Sequence, residues 1–321
     1  MKNKIKQIIF LFITFFISSE NVFGVMNTYI TEMTDSNGQK IKRHFNGKTD
    51  RQLSIGIGEH SSNTDLGYCI DVGADLGDKK PISQLDISLE KYLTEAFNDS
   101  AKAKSVTNKI NQYIQLGYKY NGQNSSKYFL ATQKLIWDEL YNAGYRKEHY
   151  GNDVYFTAGE ERYDIATEEA KIKNNVINYY KTPSMCSQNS KLEIAVGETK
   201  TYEDTYKVLS NYEVICEEGL TCEIEENTLK VTANMETKSK KIKFHKKGIE
   251  GTDNIIYKRE GEQAVLVNAK PLDSVSCEFG VDSYTNAKTS DSKIIAVIMI
   301  GILSATIVYI IITKNQYINA K

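Results

Sequence analysis

Two uncharged apolar runs, at residues 8–17 and 294–312, bracket the chain and decide where everything between them must fold. The first follows Lys2, Lys4 and Lys6 and leads to Val22, Phe23 and Gly24, residues accepted at a signal-peptidase site. Residues 1–24 are therefore expected to be removed on export. The second, which opens on Ile294 and closes on Ile312, is close to the ~20 residues that span a bilayer as a helix. Lys314 and Lys321 follow it, which places residues 313–321 in the cytoplasm. The expectation is a single-pass protein of the cell membrane with an extracellular ectodomain.

The span between the runs, about 270 residues, suffices for two ordinary domains. Residues 25–181 mix short strand-like runs with helical patterns, whereas residues 190–270 alternate in twos, as in "KLEIAVGETKTY" and "TLKVTANM". Pro183 breaks the chain between them and marks 182–189 as a linker. The polar residues of 271–293 are expected to form a membrane-proximal stalk. Periodicity predicts helices near 84–97, 100–116, 126–143 and 167–180, the last with Thr167 as N-cap, and strands at "TYITEM", "KIKRHF", "GYCIDV" and "DVYFT". Gly56-Ile57-Gly58 lacks the rest of a phosphate-loop spacing and is expected to be a turn.

With 40 basic and 41 acidic residues intermixed, the net charge of -1 argues against a nucleic-acid partner. No His, Cys or carboxylate spacing predicts a metal site, and no motif calls for a cofactor. The 5 cysteines cannot all pair within one exported chain. Cys216 and Cys222 flank a short Gly-containing turn that permits a disulfide loop, and Cys186 and Cys277 stand at the two ends of the β-rich region. Cys69, in "DLGYCIDVG", is then alone.

The helix predicted over 126–143 starts after Ser125 or Ser126 and ends before Gly144. At 3.6 residues per turn, Phe129, Leu130, Ile136, Trp137, Leu140 and Tyr141 form its apolar arc, and Gln133 falls inside it. A buried amide left unpaired costs about 1 to 3 kcal/mol per group, so Gln133 needs partners. Backbone groups could supply them. A free thiol could also react with it: sulfur attacks the side-chain carbonyl, ammonia leaves, and a thioester remains.

At these residues the sequence resembles the thioester domains of Gram-positive surface proteins. Tyr68-Cys69-Ile70-Asp71, and later Thr132-Gln133 followed by Ile136-Trp137, are similar to the two signature motifs in which this Cys and this Gln are the bonded pair. The resemblance spans residues 27–180. Leu135 stands where many relatives carry alanine, and no LPxTG-type sortase signal is present. The resemblance implies an α+β fold: a β-sandwich or barrel with a helical insertion, followed by an all-β, immunoglobulin-like sandwich and a single C-terminal transmembrane helix. It also implies an internal Cys69–Gln133 thioester in a pocket formed by Tyr68, Asp71, Thr132 and Trp137. The implied function is single-use covalent adhesion rather than enzymatic turnover, with a lysine amine of a host or neighbouring-cell surface protein bonded at Gln133. Two other readings compete with it. Cys69 could pair with His44, His60 or His149 in a secreted peptidase or acyltransferase, or the chain could be a non-covalent structural surface module.

Overall fold

The computed structural model describes residues 26–71, 76–145, 154–187 and 191–285, which fold as α+β in two units. The export segment 1–24, the apolar run 294–312, the tail 313–321 and His149 lie outside these residues. Among the described residues no helix is long and apolar enough to cross a membrane.

In chain order the first unit contains β1 (Asn27–Glu32), β2 (Ile41–Phe45), β3 (Lys48–Arg51), β4 (Leu53–His60), β5 (Asn63–Cys69) and β6 (Ser83–Leu85). Helices α1 (Leu89–Phe97), α2 (Ser100–Leu116) and α3 (Ser126–Asn142) follow, then β7 (Tyr155–Ala158), β8 (Glu161–Arg162) and α4 (Ala166–Tyr179). The second unit is built from β9 (Leu192–Ala195), β10 (Thr199–Glu203), β11 (Glu213–Cys216), β12 (Leu220–Glu225), β13 (Thr228–Ala233) and β14 (Thr237–Lys246). The chain then returns to the first unit for β15 (Ile255–Lys258) and β16 (Val265–Val267), and adds β17 (Val275–Tyr284) to the second.

That return corrects the boundaries expected from the sequence. Lys247–Ser274 belongs to the first unit, not to a second domain at 190–270, and β17 is an inner strand of a sheet, not part of a stalk at 271–293. The alternating pattern identified the strands but not the sheets they join. The expected linker at 182–189 also carries fold: Ser184 and Met185 are buried, and Ser184 donates its N–H to Asp204 at 2.8 Å.

Local signals explain the helices. Asp99 accepts the Lys102 N–H at 2.9 Å to open α2, and Ser125 accepts that of Tyr128 to open α3. Thr167 is not the N-cap of α4. That helix opens after Ile165, and Asp164 accepts the Ala166 N–H at 3.0 Å. The first unit's strands form one sheet in the order β1-β4-β5-β16-β15-β6 and another in the order β3-β2-β7-β8. Gly56-Ile57-Gly58 lies inside β4, not in a turn. A Cβ at Gly56 would stand 2.6 Å from the Thr64 hydroxyl of β5, so glycine permits the close approach of the two strands.

The second unit holds sheets β10-β13-β12 and β11-β14-β17-β9, whose inward residues include Leu229, Val231, Ile242, Phe244 and Val281. Tyr202 and Phe279 meet edge to face across it at 5.9 Å. Two disulfides close it, Cys216–Cys222 between β11 and β12 and Cys186–Cys277, whose partners lie 91 residues apart in sequence. A loop of that size restricts the unfolded chain by about 4.6 kcal/mol in the chain-entropy account. The double variant C186A/C277A is therefore expected to lower the second unit's unfolding free energy, read from urea titrations, by about that amount, while the short Cys216–Cys222 loop contributes less.

Candidate functional site

The site forms where β5 loses its neighbour. The β4–β5 ladder reaches Ile55↔Gly67 and does not continue to Cys69, while on the other side Val265 of β16 is paired with Cys69. A side chain of α3 meets the main chain of Cys69. The Cys69 N–H donates to Oε1 of Gln133 at 2.8 Å, and Nε2 of Gln133 donates to the Cys69 carbonyl at 2.9 Å. Trp137, one turn further along α3, donates its indole N–H to the same carbonyl at 2.9 Å. One turn back, Phe129 stacks on Tyr68 at 5.5 Å. A single stripe of α3, spaced four residues apart, thus lies along Tyr68 and Cys69.

Both polar atoms of the Gln133 amide have a partner, and the residue is 2% exposed. This arrangement satisfies a core amide and also prepares it for attack. The backbone N–H on Oε1 polarises the carbonyl and stands where an oxyanion would need a donor. Holding the amide against the main chain of Cys69 puts thiol and amide in one framework, where a reaction between them would be an intramolecular step.

Burial pushes the Cys69 thiol up to about 12; the guanidinium of Arg43 works against this and the carboxylate of Asp71 adds to it. Cys69 is consequently a protonated thiol at neutral pH, and any attack by its sulfur requires a proton acceptor. Arg43 reaches the site from β2, where Ile41, Arg43 and Phe45 share the buried face. Its guanidinium lies 4.6 Å from the centroid of the Phe45 ring and 5.1 Å from that of Trp137.

Asp71 is fully buried and is the focus of a polar cluster. Tyr145 donates its hydroxyl to Oδ1, Ala264 donates its N–H to Oδ2 at 3.2 Å, and Tyr92 donates at 3.5 Å. The ammonium of Lys258, at the end of β15, stands 3.7 Å from the same carboxylate and donates to the Tyr92 hydroxyl at 3.3 Å. Burial and the neighbouring Asp71 carboxylate hold the Tyr145 phenol well above its ordinary range.

Of the residues expected around the reacting pair, the structure brings Trp137 to Cys69 directly and places Tyr68 beside it in the strand. Thr132 is elsewhere. Its hydroxyl donates to the Tyr128 carbonyl at 2.8 Å and accepts the Tyr118 N–H at 3.0 Å, so it ties the turn after α2 to α3. A Cβ at Gly117 would meet that hydroxyl at 2.3 Å, and glycine makes the close turn possible. Leu135 is buried in the core.

Neither described histidine candidate reaches the thiol. His44 stacks on Tyr155 at 4.5 Å and bonds Thr157 and Thr49, on the face of β2 opposite Arg43. His60 is paired with Asn63, at the far end of β5 from Cys69, roughly 20 Å away along the strand. Sequence reasoning missed Arg43, Tyr92, Tyr145, Lys258 and Ala264, which come from distant parts of the chain and share no motif. Among the described residues no cluster of His, Cys, Asp and Glu is suited to a metal ion.

No family model matches the chain, and no curated protein matches it. Among solved structures it is similar to the thioester domain of the Staphylococcus aureus TIE protein, at 20% identity and a TM-score of 0.48, over 81% of this chain and 99% of that one. It is also similar to the Bacillus anthracis TIE protein, at 13% identity and a TM-score of 0.30, over 81% of this chain and 48% of that one.

Proposed function

We propose that this chain is a thioester-bearing surface protein of the Gram-positive type, in which Cys69 and Gln133 form an internal thioester. The observation that carries the reading is the pair of hydrogen bonds clamping the Gln133 amide to Cys69, next to a cysteine left out of both disulfides. A thioester is a poor permanent crosslink because water and amines cleave it. Its use is as a stored acyl group, shielded from water by burial until a nucleophile arrives. A lysine side chain on a host or neighbouring-cell surface protein would attack the Gln133 carbonyl, leaving an amide bond to that protein and a free thiol on Cys69. Each chain reacts once and does not turn over, which makes it a covalent adhesin rather than an enzyme.

In this reading the second unit is an immunoglobulin-like stalk module. The apolar run 294–312 anchors the protein in the cell membrane with its ectodomain outside. Methylamine is the simplest test nucleophile. Incubation is expected to add one methylamide, mapped by peptide sequencing to Gln133, and to release one alkylatable thiol at Cys69. An adduct at another residue, or none, contradicts the reading. Protease added to intact cells is expected to shed the ectodomain, and a fragment protected inside the cell contradicts the surface assignment.

A further inference from the structure

The proposed reaction leaves one role unfilled, that of the group taking the thiol proton. Cys69 is followed two residues later by Asp71, whose carboxylate folds back to the β16 end of the same ladder. Ala264, whose carbonyl accepts the Ile70 N–H at 3.0 Å, donates its own N–H to Asp71. The remaining donors come from three other places: Tyr92 of α1, Tyr145 just beyond α3, and Lys258 of β15. A carboxylate with no exposed surface is costly unless it is compensated, and each of these groups compensates charge on the carboxylate.

We propose that Asp71 is the proton acceptor and donor of the thioester chemistry, and that Lys258 is the residue that positions it, directly and through Tyr92. The inference rests on the thioester reading. In formation, the Cys69 thiol proton passes to Asp71 as sulfur bonds to Cδ of Gln133, and the carbonyl electrons move onto Oε1, opposite the Cys69 N–H. Collapse restores the carbonyl, breaks the Cδ–Nε2 bond, and Asp71 returns the proton to the departing nitrogen, which leaves as ammonia. In the spending step an amine bonds to Cδ, its surplus proton passes through Asp71 to the sulfur, and the C–S bond breaks. No external acid, base or oxidant is consumed. Burial also supports the assignment, because a thiol held up to about 12 does not ionise unaided.

The test compares the full chain with its Lys258→Met, Lys258→Arg and Tyr92→Phe variants. It follows ammonia loss by intact mass and the rate of methylamide formation. Lys258→Met is expected to slow methylamide formation at least tenfold, because the buried carboxylate loses its ammonium partner. Lys258→Arg is expected to restore most of the rate. Tyr92→Phe removes one hydroxyl and is expected to slow the reaction less, in the same direction, which keeps the proposal testable if Lys258→Met fails to fold. The proposal is overturned if Lys258→Met matches the wild type in rate, if Met and Arg are equally slow, or if Tyr92→Phe has no effect. If the wild type itself retains the ammonia, the thioester reading falls and takes this one with it; if the wild type reacts and the variants match it, only the proton relay falls.

Discussion

Cys69→Ala is expected to yield a folded chain that keeps the Gln133 ammonia and forms no methylamine adduct. The loss is complete rather than partial, because the acyl group is stored on that sulfur and no other described cysteine is free to replace it. The fold tolerates the change. Both hydrogen bonds between Gln133 and residue 69 involve the main chain of the latter and survive removal of the thiol. Gln133→Ala is expected to abolish the adduct equally but at a cost in stability, since the Cys69 N–H loses its acceptor in a buried setting, worth about 1–3 kcal/mol. The Cys69 carbonyl retains Trp137 as donor. Thermal melts of the two variants separate these effects: similar loss of chemistry, unequal loss of stability.

Trp137→Ala is expected to produce the largest structural effect of any single change in the site. Its ring is 1% exposed, packs under the Arg43 guanidinium and donates to Cys69. Deleting a buried aromatic of this size costs about 3–5 kcal/mol. For a unit of this length the corresponding fall in melting temperature is about 10 °C. Trp137→Phe keeps most of the packing and removes the indole N–H, so its fall is expected to be about a third as large. Equal melts for Ala and wild type would show that the contact between α3 and β5 does not hold the unit together.

Local signals in the sequence were sufficient for α2 and α3. Caps at Asp99 and Ser125 and a 3.6-residue apolar stripe fix such helices within a few residues, and α3 carried Gln133 and Trp137 on one face as its periodicity requires. The pairing of Cys69 with Gln133 was legible only through their motifs, since 64 residues separate them. Half of the site was not legible. Lys258 and Ala264 lie in a segment whose alternation looked continuous with the strands before it, and nothing local says that Val265 pairs with Cys69 rather than with a strand of the second unit. Strand periodicity records which face is buried and is silent about the partner. Arg43 was hidden for the opposite reason: a charged residue at an inward position of β2 reads as a break in the pattern until Trp137 and Phe45 are found beneath it.

The most direct test of the central claim is the accurate mass of the intact full chain, compared with the mass calculated from its own N terminus with two disulfides formed. The account predicts a mass lower by one ammonia in the wild type and the full calculated mass in Cys69→Ala. A wild-type chain that carries its full mass when freshly purified, with Cys69 alkylatable after denaturation, would contradict it and leave Gln133 as an ordinary buried amide.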